Sequence, residues 1–382
     1  MIAQTTIVRR SGRSHGCSPP FQPSHEQHPE TLRDIKVEIR PIQTEDYQAW
    51  DGYVLAHATP CVYLTTAWKR AVERGYGHQT AYLAAFDDRS LAGVLPLVLI
   101  KPPLSRRCLV SLPYCDYGGL VAQSGELASA LLARAVDLAS QLRATLEIRT
   151  AEPSLELERT TDFRQIADKC RMVLGLPPSA GMLWKGFKSK LRSQVRRAMQ
   201  HGLVNRIGGK ELLQDFYTVF SQNMRDLGSP VHSREWLQAV LVAFGDAAKV
   251  GVVYKGAYPA AAGIVLTHGS YVTISWASSL REFNSLSPNM LLYWSFLTYA
   301  ADSGFKFFDF GRSTPGGGTC AFKKQWGAQP SPLFWFRQGG IDAASGEEIG
   351  MRLRSIAKGL WTKLPIVVAN AAGPRIRKYI SK

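Results

Sequence analysis

A pattern of strand, strand, helix, strand occurs twice along this 382-residue chain, and it restricts the possible folds more than any single motif does. "TAYLAAFDDRSLAGVLPLVLI" reads as a strand, a polar turn at Asp87-Asp88-Arg89-Ser90 and a second strand. "AKVGVVYKGAYPAAAGIVLTHGSYVTISWA" repeats the arrangement around Lys255-Gly256, and "LAGVLPLVL" has its counterpart in "AAGIVLTHG". Each half then continues with a helix and another strand: "ELASALLARAVDLASQLRA" before "TLEIRT", and "SPNMLLYWSFLTYAADSG" before "FKFFDFG". In the second of these helices Ser287 is the expected N-cap, Pro288 the first turn and Gly304 the stop. Met290, Leu291, Leu292, Tyr293, Trp294 and Phe296 surround its early turns, which predicts a buried helix. The expected architecture is a duplicated α/β unit; two unrelated α/β domains are the alternative. The boundary falls at "LGLPPSAGM", Leu174 to Gly181, where Pro and Gly punctuate the pattern. This divides the chain into an N-terminal tail over 1–34, halves over 35–175 and 176–345, and a basic C-terminal segment over 346–382.

With 45% apolar and 20% charged residues, the chain has enough core-forming side chains for two ordinary domains. The tail "MIAQTTIVRRSGRSHGCSPPFQPSHEQHPETLRD" is polar and is expected to be disordered; it lacks the apolar core of a signal peptide, so a cytoplasmic location is expected. Cys17, Cys61, Cys108, Cys115, Cys170 and Cys320 are scattered without CxxC spacing, the pattern of reduced thiols rather than of zinc or a disulfide framework.

The net charge of +16 is located, not spread. Lys185 to Lys210 contains eight Lys or Arg and no Asp or Glu, and Gly350 to Lys382 again contains eight and none. Anionic partners are expected for both segments: nucleotide or tRNA phosphates, a lipid pyrophosphate, or an anionic membrane surface. Within "KGFKSKLRSQVRRAMQHGL", Phe187, Leu191, Val195 and Ala198 form one apolar stripe at helical spacing. Lys188, Arg192 and Arg196 form a cationic stripe beside it, and Gly202 should end the helix. A solvated amphipathic helix would show the same stripe. Like charges four apart each cost a few tenths of a kcal/mol, however, and no Glu relieves them here, which favours anion contact.

The last motif is "FDFGRSTPGGGTCAFKKQWG". Its strand should carry Asp309 and Gly311 to a C-terminal edge, where open α/β sheets place ligands. Gly316, Gly317 and Gly318 then permit positive φ and close backbone approach. Lys323, Lys324 and the flat apolar face of Trp326 follow. The glycine spacing is not that of a P-loop, and a loop made only for turning would look the same. In the first half "LPYCDYGG" brings Tyr114, Asp116 and Tyr117 to a comparable strand end, beside Gly118-Gly119.

This closing motif resembles that of the FemAB-like aminoacyl/acyltransferases, and more narrowly that of FemAB-related proteins associated with PEP-CTERM/exosortase and exopolysaccharide loci. "TPCVYLTTAWKRAVERGYGHQTAYLAAF", "LAGVLPLVLIKPPLSRRCLVSLPYCDYGGL", "LRSQVRRAMQHGL" and "LGSPVHSREWL" carry the same resemblance, which spans about Val37 to Phe336. It implies two tandem GNAT-like domains, each a mixed twisted sheet flanked by helices. In that family the Phe-Lys of this motif lies at the transfer site, which the resemblance carries to Phe322-Lys323, with Lys323 steadying the oxyanion of the transferred acyl group. Asp309 is a candidate to receive the amine proton or to orient Arg312, with a structural salt bridge as the alternative. His232 is a candidate substrate contact, and Tyr114, Asp116 and Tyr117 candidate acceptor-cleft residues. Cys320 reads as a small buried thiol.

The function so implied is acyl or aminoacyl transfer to an amino or hydroxyl group of a cell-envelope or exopolysaccharide precursor. No tightly held cofactor is expected, with aminoacyl-tRNA or acyl-CoA as the expected co-substrate. The rival is a non-catalytic, membrane-peripheral adaptor of polysaccharide assembly. "MRLRSIAKGLWTKLPIVVANAAGPRIRKYISK" is basic, apolar and Trp-bearing, and suits either an anionic leaflet or packing on the second domain.

Overall fold

The structure is a computed structural model that describes residues 5–7, 37–58, 61–103, 105–160, 162–166, 168–338 and 357–381. Its two halves repeat one sheet order. In the first, Val37–Pro41, Leu83–Asp87 and Ser90–Leu95 pair antiparallel in sequence. The third strand resumes after Pro96-Leu97 as Val98–Ile100 and pairs with Arg107–Val110. Arg107–Val110 then runs parallel to Ala144–Thr150. In the second half Leu203–Gly208, Ala248–Lys255, Tyr258–His268 and Tyr271–Ser279 follow the same antiparallel course, and Tyr271–Ser279 runs parallel to Phe307–Ser313. A helix makes each parallel crossover: Gly125–Gln141 in the first half, Pro288–Asp302 in the second. This is the duplicated mixed α/β unit that the repeated pattern predicts.

Local chemistry accounts for the elements. The first hairpin turns on Asp88 and Arg89, both with positive φ (46° and 69°), matching the twist of the flanking strands. Ser124 caps Gly125–Gln141, its Oγ accepting the Leu127 N–H at 3.3 Å. Ser287 holds the N-cap position of Pro288–Asp302 but makes no side-chain cap, because its backbone is left-handed (φ 58°). That helix is buried as expected, and Gly251 and Gly263 explain how it fits. A Cβ on Gly251 would lie 2.5 Å from Phe296 Cζ, and one on Gly263 2.9 Å from Phe296 Cε2.

The boundary expected between 175 and 176 does not divide the sheets, because the halves exchange a strand. Cys170–Gly175 inserts into the second sheet between Phe307–Ser313 and Gln329–Pro332. Phe334–Gln338 inserts into the first, between Ala144–Thr150 and Phe163–Gln165. Sequence order conceals the exchange, since each strand follows the half it does not join. Of the tail expected to be disordered only Thr5–Ile7 is described, and it pairs antiparallel with Val37–Ile39 as an edge strand; positions 1–4 and 8–34 lie outside the described residues.

Each exchanged strand brings an arginine to a buried carboxylate. The last parallel pairs are Val110↔Glu147 in the first half and Thr273↔Asp309 in the second, so the two carboxylates hold equivalent positions. Both are fully buried. Glu147 binds Arg149 at 2.6 Å and, from the exchanged strand, Arg337 at 2.5 Å. Asp309 Oδ2 accepts the Tyr117 hydroxyl at 2.9 Å, and that hydroxyl accepts Arg171 of the other exchanged strand at 3.1 Å. The halves also share a core. Helix Thr66–Tyr76 lies so close to helix Arg234–Phe244 that a Cβ on Gly75 would stand 3.0 Å from the Trp236 Cα. Trp68 meets Trp236 edge to face across that contact, at 5.4 Å.

Removing one partner of a buried charge pair leaves the other uncompensated, at a cost of about 3–5 kcal/mol. Arg149→Met, which removes the fully buried partner of Glu147, should therefore lower the unfolding free energy by about that much in urea titrations. Tyr117→Phe, which removes one buried hydroxyl, should cost about 1–2 kcal/mol.

Candidate active site

A cavity of about 450 Å³ opens beyond the C-terminal end of strand Phe307–Ser313. Arg312, Ser313, Thr314 and Thr319 of the second half line it, together with Lys169 and with Trp335 of the exchanged strand. Arg312 is fixed from the first half. Its N–H donates to Asp116 Oδ2 at 2.9 Å, its Nε lies 3.4 Å from Asp116 Oδ1, and its guanidinium lies 5.0 Å from the Trp335 ring. Trp335 Nε1 in turn donates to the Asp116 carbonyl at 2.8 Å.

The triglycine segment forms the bend that returns the chain beneath this cavity. Gly316 has φ 76°, the Gly317 N–H closes onto the Thr314 carbonyl at 3.0 Å, and helix Gly318–Lys324 starts there. On this helix Cys320 faces Met172, with the two sulfurs 3.9 Å apart, and Lys323 turns inward on the same side. Lys323 is only 7% exposed; Lys324 is exposed. The Lys323 ammonium donates to the carbonyls of Gly311 (3.0 Å) and Arg312 (2.8 Å). An ammonium has three protons, so one remains beyond these two bonds. Burial pulls the Lys323 pKa below its ordinary value, with Asp116 and Asp309 opposing.

Asp309 does not stand where an incoming amine could reach it. It is 0% exposed, and its oxygens are taken by Tyr117 and by the Gly311 N–H, the latter at 2.8 Å. Burial raises its pKa, against the opposing pull of Arg171 and of these hydrogen bonds. The carboxylate instead holds the strand end on which Gly311 and Arg312 are carried. Tyr117 belongs to this same junction, and Asp116 acts through Arg312. Trp326 offers no wall: it is 1% exposed, with its ring packed on Phe187 at 5.6 Å. Phe322 is half-buried and meets Tyr293 edge to face.

Tyr114 and His232 lie elsewhere, under the C-terminal segment. The Tyr114 hydroxyl donates to the Lys378 carbonyl, which His78 Nε2 also approaches at 2.9 Å. His232 is buried with Nδ1 2.6 Å from the Tyr76 hydroxyl, while its Nε2 accepts Arg377 Nε–H at 3.1 Å. Neither residue lines the Arg312 cavity. Among cationic candidates, Lys188 at the N-cap of helix Ser189–Gln200 and Arg196 are exposed beside the buried stripe of Leu191, Val195 and Ala198, with Arg192 half-buried between them. Arg196 lies over the Trp184 ring at 5.5 Å, and among the described residues none of these three cations forms an ion pair.

Arg149 was missed from sequence. It is fully buried and donates to the carbonyls of Leu112, Cys115 and Ser381 besides Glu147. The signal was present in "TLEIRT", where Glu147 and Arg149 share one strand face and Leu146 and Ile148 the other. A second cavity, of about 350 Å³, lies at the equivalent strand end of the first half, past Thr150, with Tyr117, Ser154 and Glu156 among its walls. Among the described residues no group of three or more His, Cys, Asp or Glu is arranged to hold a metal ion.

A family model described as an acetyltransferase (GNAT) domain matches residues 185–324. The solved structure of FemX superposes with a TM-score of 0.63 at 17% identity, over 78% of this chain and 96% of that one. The C-terminal domain of a putative lysylphosphatidylglycerol synthetase from Agrobacterium fabrum gives 0.55 at 13% identity, over 81% and 96%. A tandem GNAT protein of the clavulanic acid biosynthesis pathway gives 0.52 at 14% identity, over 79% and 98%. No curated protein sequence matches the chain. The fold is a tandem GNAT fold with an acetyltransferase-type domain in its second half, which supports an acyltransferase.

His232 gives a pH signature. Burial, and next the Arg377 charge, depress its pKa well below the ordinary 6.5. The unfolded chain then binds the extra proton first, so stability is complete above about pH 6.5 and falls as the pH drops below it. Melting curves should show this loss, and His232→Asn should lessen it between pH 7 and about 5, leaving the part due to His78 and His268, which burial also depresses.

Proposed function

We propose that this protein is an acyl- or aminoacyltransferase that acylates an amino or hydroxyl group of a cell-envelope or exopolysaccharide precursor. The observation that carries the reading is the buried ammonium of Lys323, held against the main chain of Gly311 and Arg312; Arg312 lines the cavity, and Lys323 itself lies behind it, outside the lining. A cation fixed in a site of low dielectric stabilises the oxyanion that forms when an amine attacks an activated carbonyl, without reorganising during the step. Arg312, clamped by Asp116 and Trp335, adds a second cation at fixed geometry. Asp309 and Tyr117 act as positioning residues for this strand end. The substrate amine's proton passes to water or to the substrate, because Asp309 is enclosed.

The donor is an activated acyl or aminoacyl group carried on CoA or tRNA, and the unpaired Lys188, Arg192 and Arg196 suit its phosphates. The likeness of the fold to FemX and to the C-terminal domain of a putative lysylphosphatidylglycerol synthetase supports the aminoacyl alternative.

Lys323→Ala should lower kcat by about 10²–10³ with little change in donor KM, while circular dichroism stays that of the wild type and the melting temperature falls modestly, because the Gly311 and Arg312 carbonyls lose a donor. The same variant should fail to complement a deletion strain at unchanged protein level. Full complementation would replace the enzyme by the adaptor reading. Thermal-shift titration with acyl-CoA and aminoacyl-tRNA identifies the donor, and stabilisation by CoA thioesters alone would remove tRNA from the proposal.

A further inference from the structure

The segment from Ala357 to Ser381 is fastened to the body at both ends and along one face. At its start, a Cβ on Gly228 would stand 2.4 Å from Lys358 Cγ, so the chain passes directly over that glycine. Arg225 then donates to the Leu364 carbonyl at 3.4 Å. Helix Ile366–Arg377 turns Ala369 and Gly373 inward, and a Cβ on Gly373 would lie 3.0 Å from Val231 N. At its end Arg377 is tied to His232, and the Ser381 carbonyl accepts both the Tyr114 N–H and Arg149, each at 2.9 Å.

What this fastening displays is apolar and cationic. Fourteen large hydrophobic side chains are exposed among the described residues, and five of them fall within the 21 residues from 360 to 380: Leu360, Val367, Val368, Ile376 and Ile380. Val367 is 76% exposed and Leu360 64%. Lys358, Lys363 and Arg375 are exposed among them, Lys378 is half-buried, and the sequence has no Asp or Glu from 350 to 382. A helix that merely completes the fold would direct charged or polar groups outward at Val367 and Val368. A second copy of the chain is a poor occupant, since the same cationic face would meet itself. No helix of the described residues is long and apolar enough to cross a membrane.

We propose that this face is a docking surface for an anionic lipid bilayer, with Leu360, Val367, Val368, Ile376 and Ile380 entering the headgroup–acyl boundary and Lys358, Lys363, Arg375 and Lys378 meeting lipid phosphates. The surface is pre-ordered by its contacts with His232, Tyr114 and Arg149, so binding needs no folding step. None of these side chains lines the Arg312 cavity, and the proposal is independent of the transferase reading.

The test is co-sedimentation of the full chain with phosphatidylcholine vesicles, with and without phosphatidylglycerol. Binding is expected only with the anionic lipid and should weaken as salt rises. Val367→Asp combined with Val368→Asp should reduce vesicle affinity at least about tenfold with an unchanged melting temperature, since both side chains are exposed. Lys363→Gln combined with Arg375→Gln should reduce it by about 20- to 30-fold. Lys323→Ala should bind as wild type does. Absence of binding to anionic vesicles, equal binding by the aspartate variant, or a dimer that the aspartate variant disperses would each overturn the proposal.

Discussion

The structure depends on a buried carboxylate placed where two parallel strands part, answered by an arginine from a strand that the other half of the chain supplies. Glu147 meets Arg337 directly, and Asp309 meets Arg171 through the Tyr117 hydroxyl that bridges them. Such pairs contribute little net stability, because desolvating both charges offsets most of their attraction. Their effect is on specificity. A first half folded without Phe334–Gln338 would bury Glu147 without one of its two cations, and a second half without Cys170–Gly175 would leave Asp309 without Arg171. The halves are thereby committed to each other, as the shared contact of Trp68 and Trp236 also requires.

That commitment places the candidate site. Strand Phe307–Ser313 leaves its parallel neighbour after Asp309, and the gap admits Tyr117 and Asp116 from the first half. Asp309 holds the Gly311 amide on one side while Lys323 holds the Gly311 and Arg312 carbonyls on the other. A short stretch of backbone with little freedom results, bearing Arg312 into the lining of a cavity that Trp335 also lines. Electrostatic stabilisation of a forming oxyanion demands cations that do not move during the reaction. Here the restraint comes from residues of both halves, so the site is a property of the whole body.

Much of this was legible in the sequence. Strand periodicity, the two hairpin turns and the crossover helices gave the duplicated unit, whereas Lys323 was singled out only by the family resemblance of the closing motif. The exchange was not legible, because neither Cys170–Gly175 nor Phe334–Gln338 carries any mark of which sheet it joins. For the same reason Asp309 read as a candidate base: a lone Asp in "FDFG" does not announce the Tyr117 and Arg171 that enclose it. Trp326 read as a ligand wall because an aromatic beside lysines suits either a cleft or a core, and only packing on Phe187 decides between them. Tyr114 and His232 were displaced from the expected cleft by contacts with residues some 145 to 264 positions away in the chain. The 350–382 charge run likewise left open whether the segment packs on the body. It does so through Ala369 and Gly373, while showing its valines outward.

Native-state hydrogen exchange of the whole chain tests the mutual commitment of the halves most directly. Amides of Cys170–Gly175 and Phe334–Gln338, together with those of Ala144–Thr150 and Phe307–Ser313, should open with one common free energy equal to that of global unfolding. Separate opening of the first half, with Ala144–Thr150 and Phe334–Gln338 exchanging at markedly lower free energy than Phe307–Ser313, would contradict a single body locked by exchanged strands.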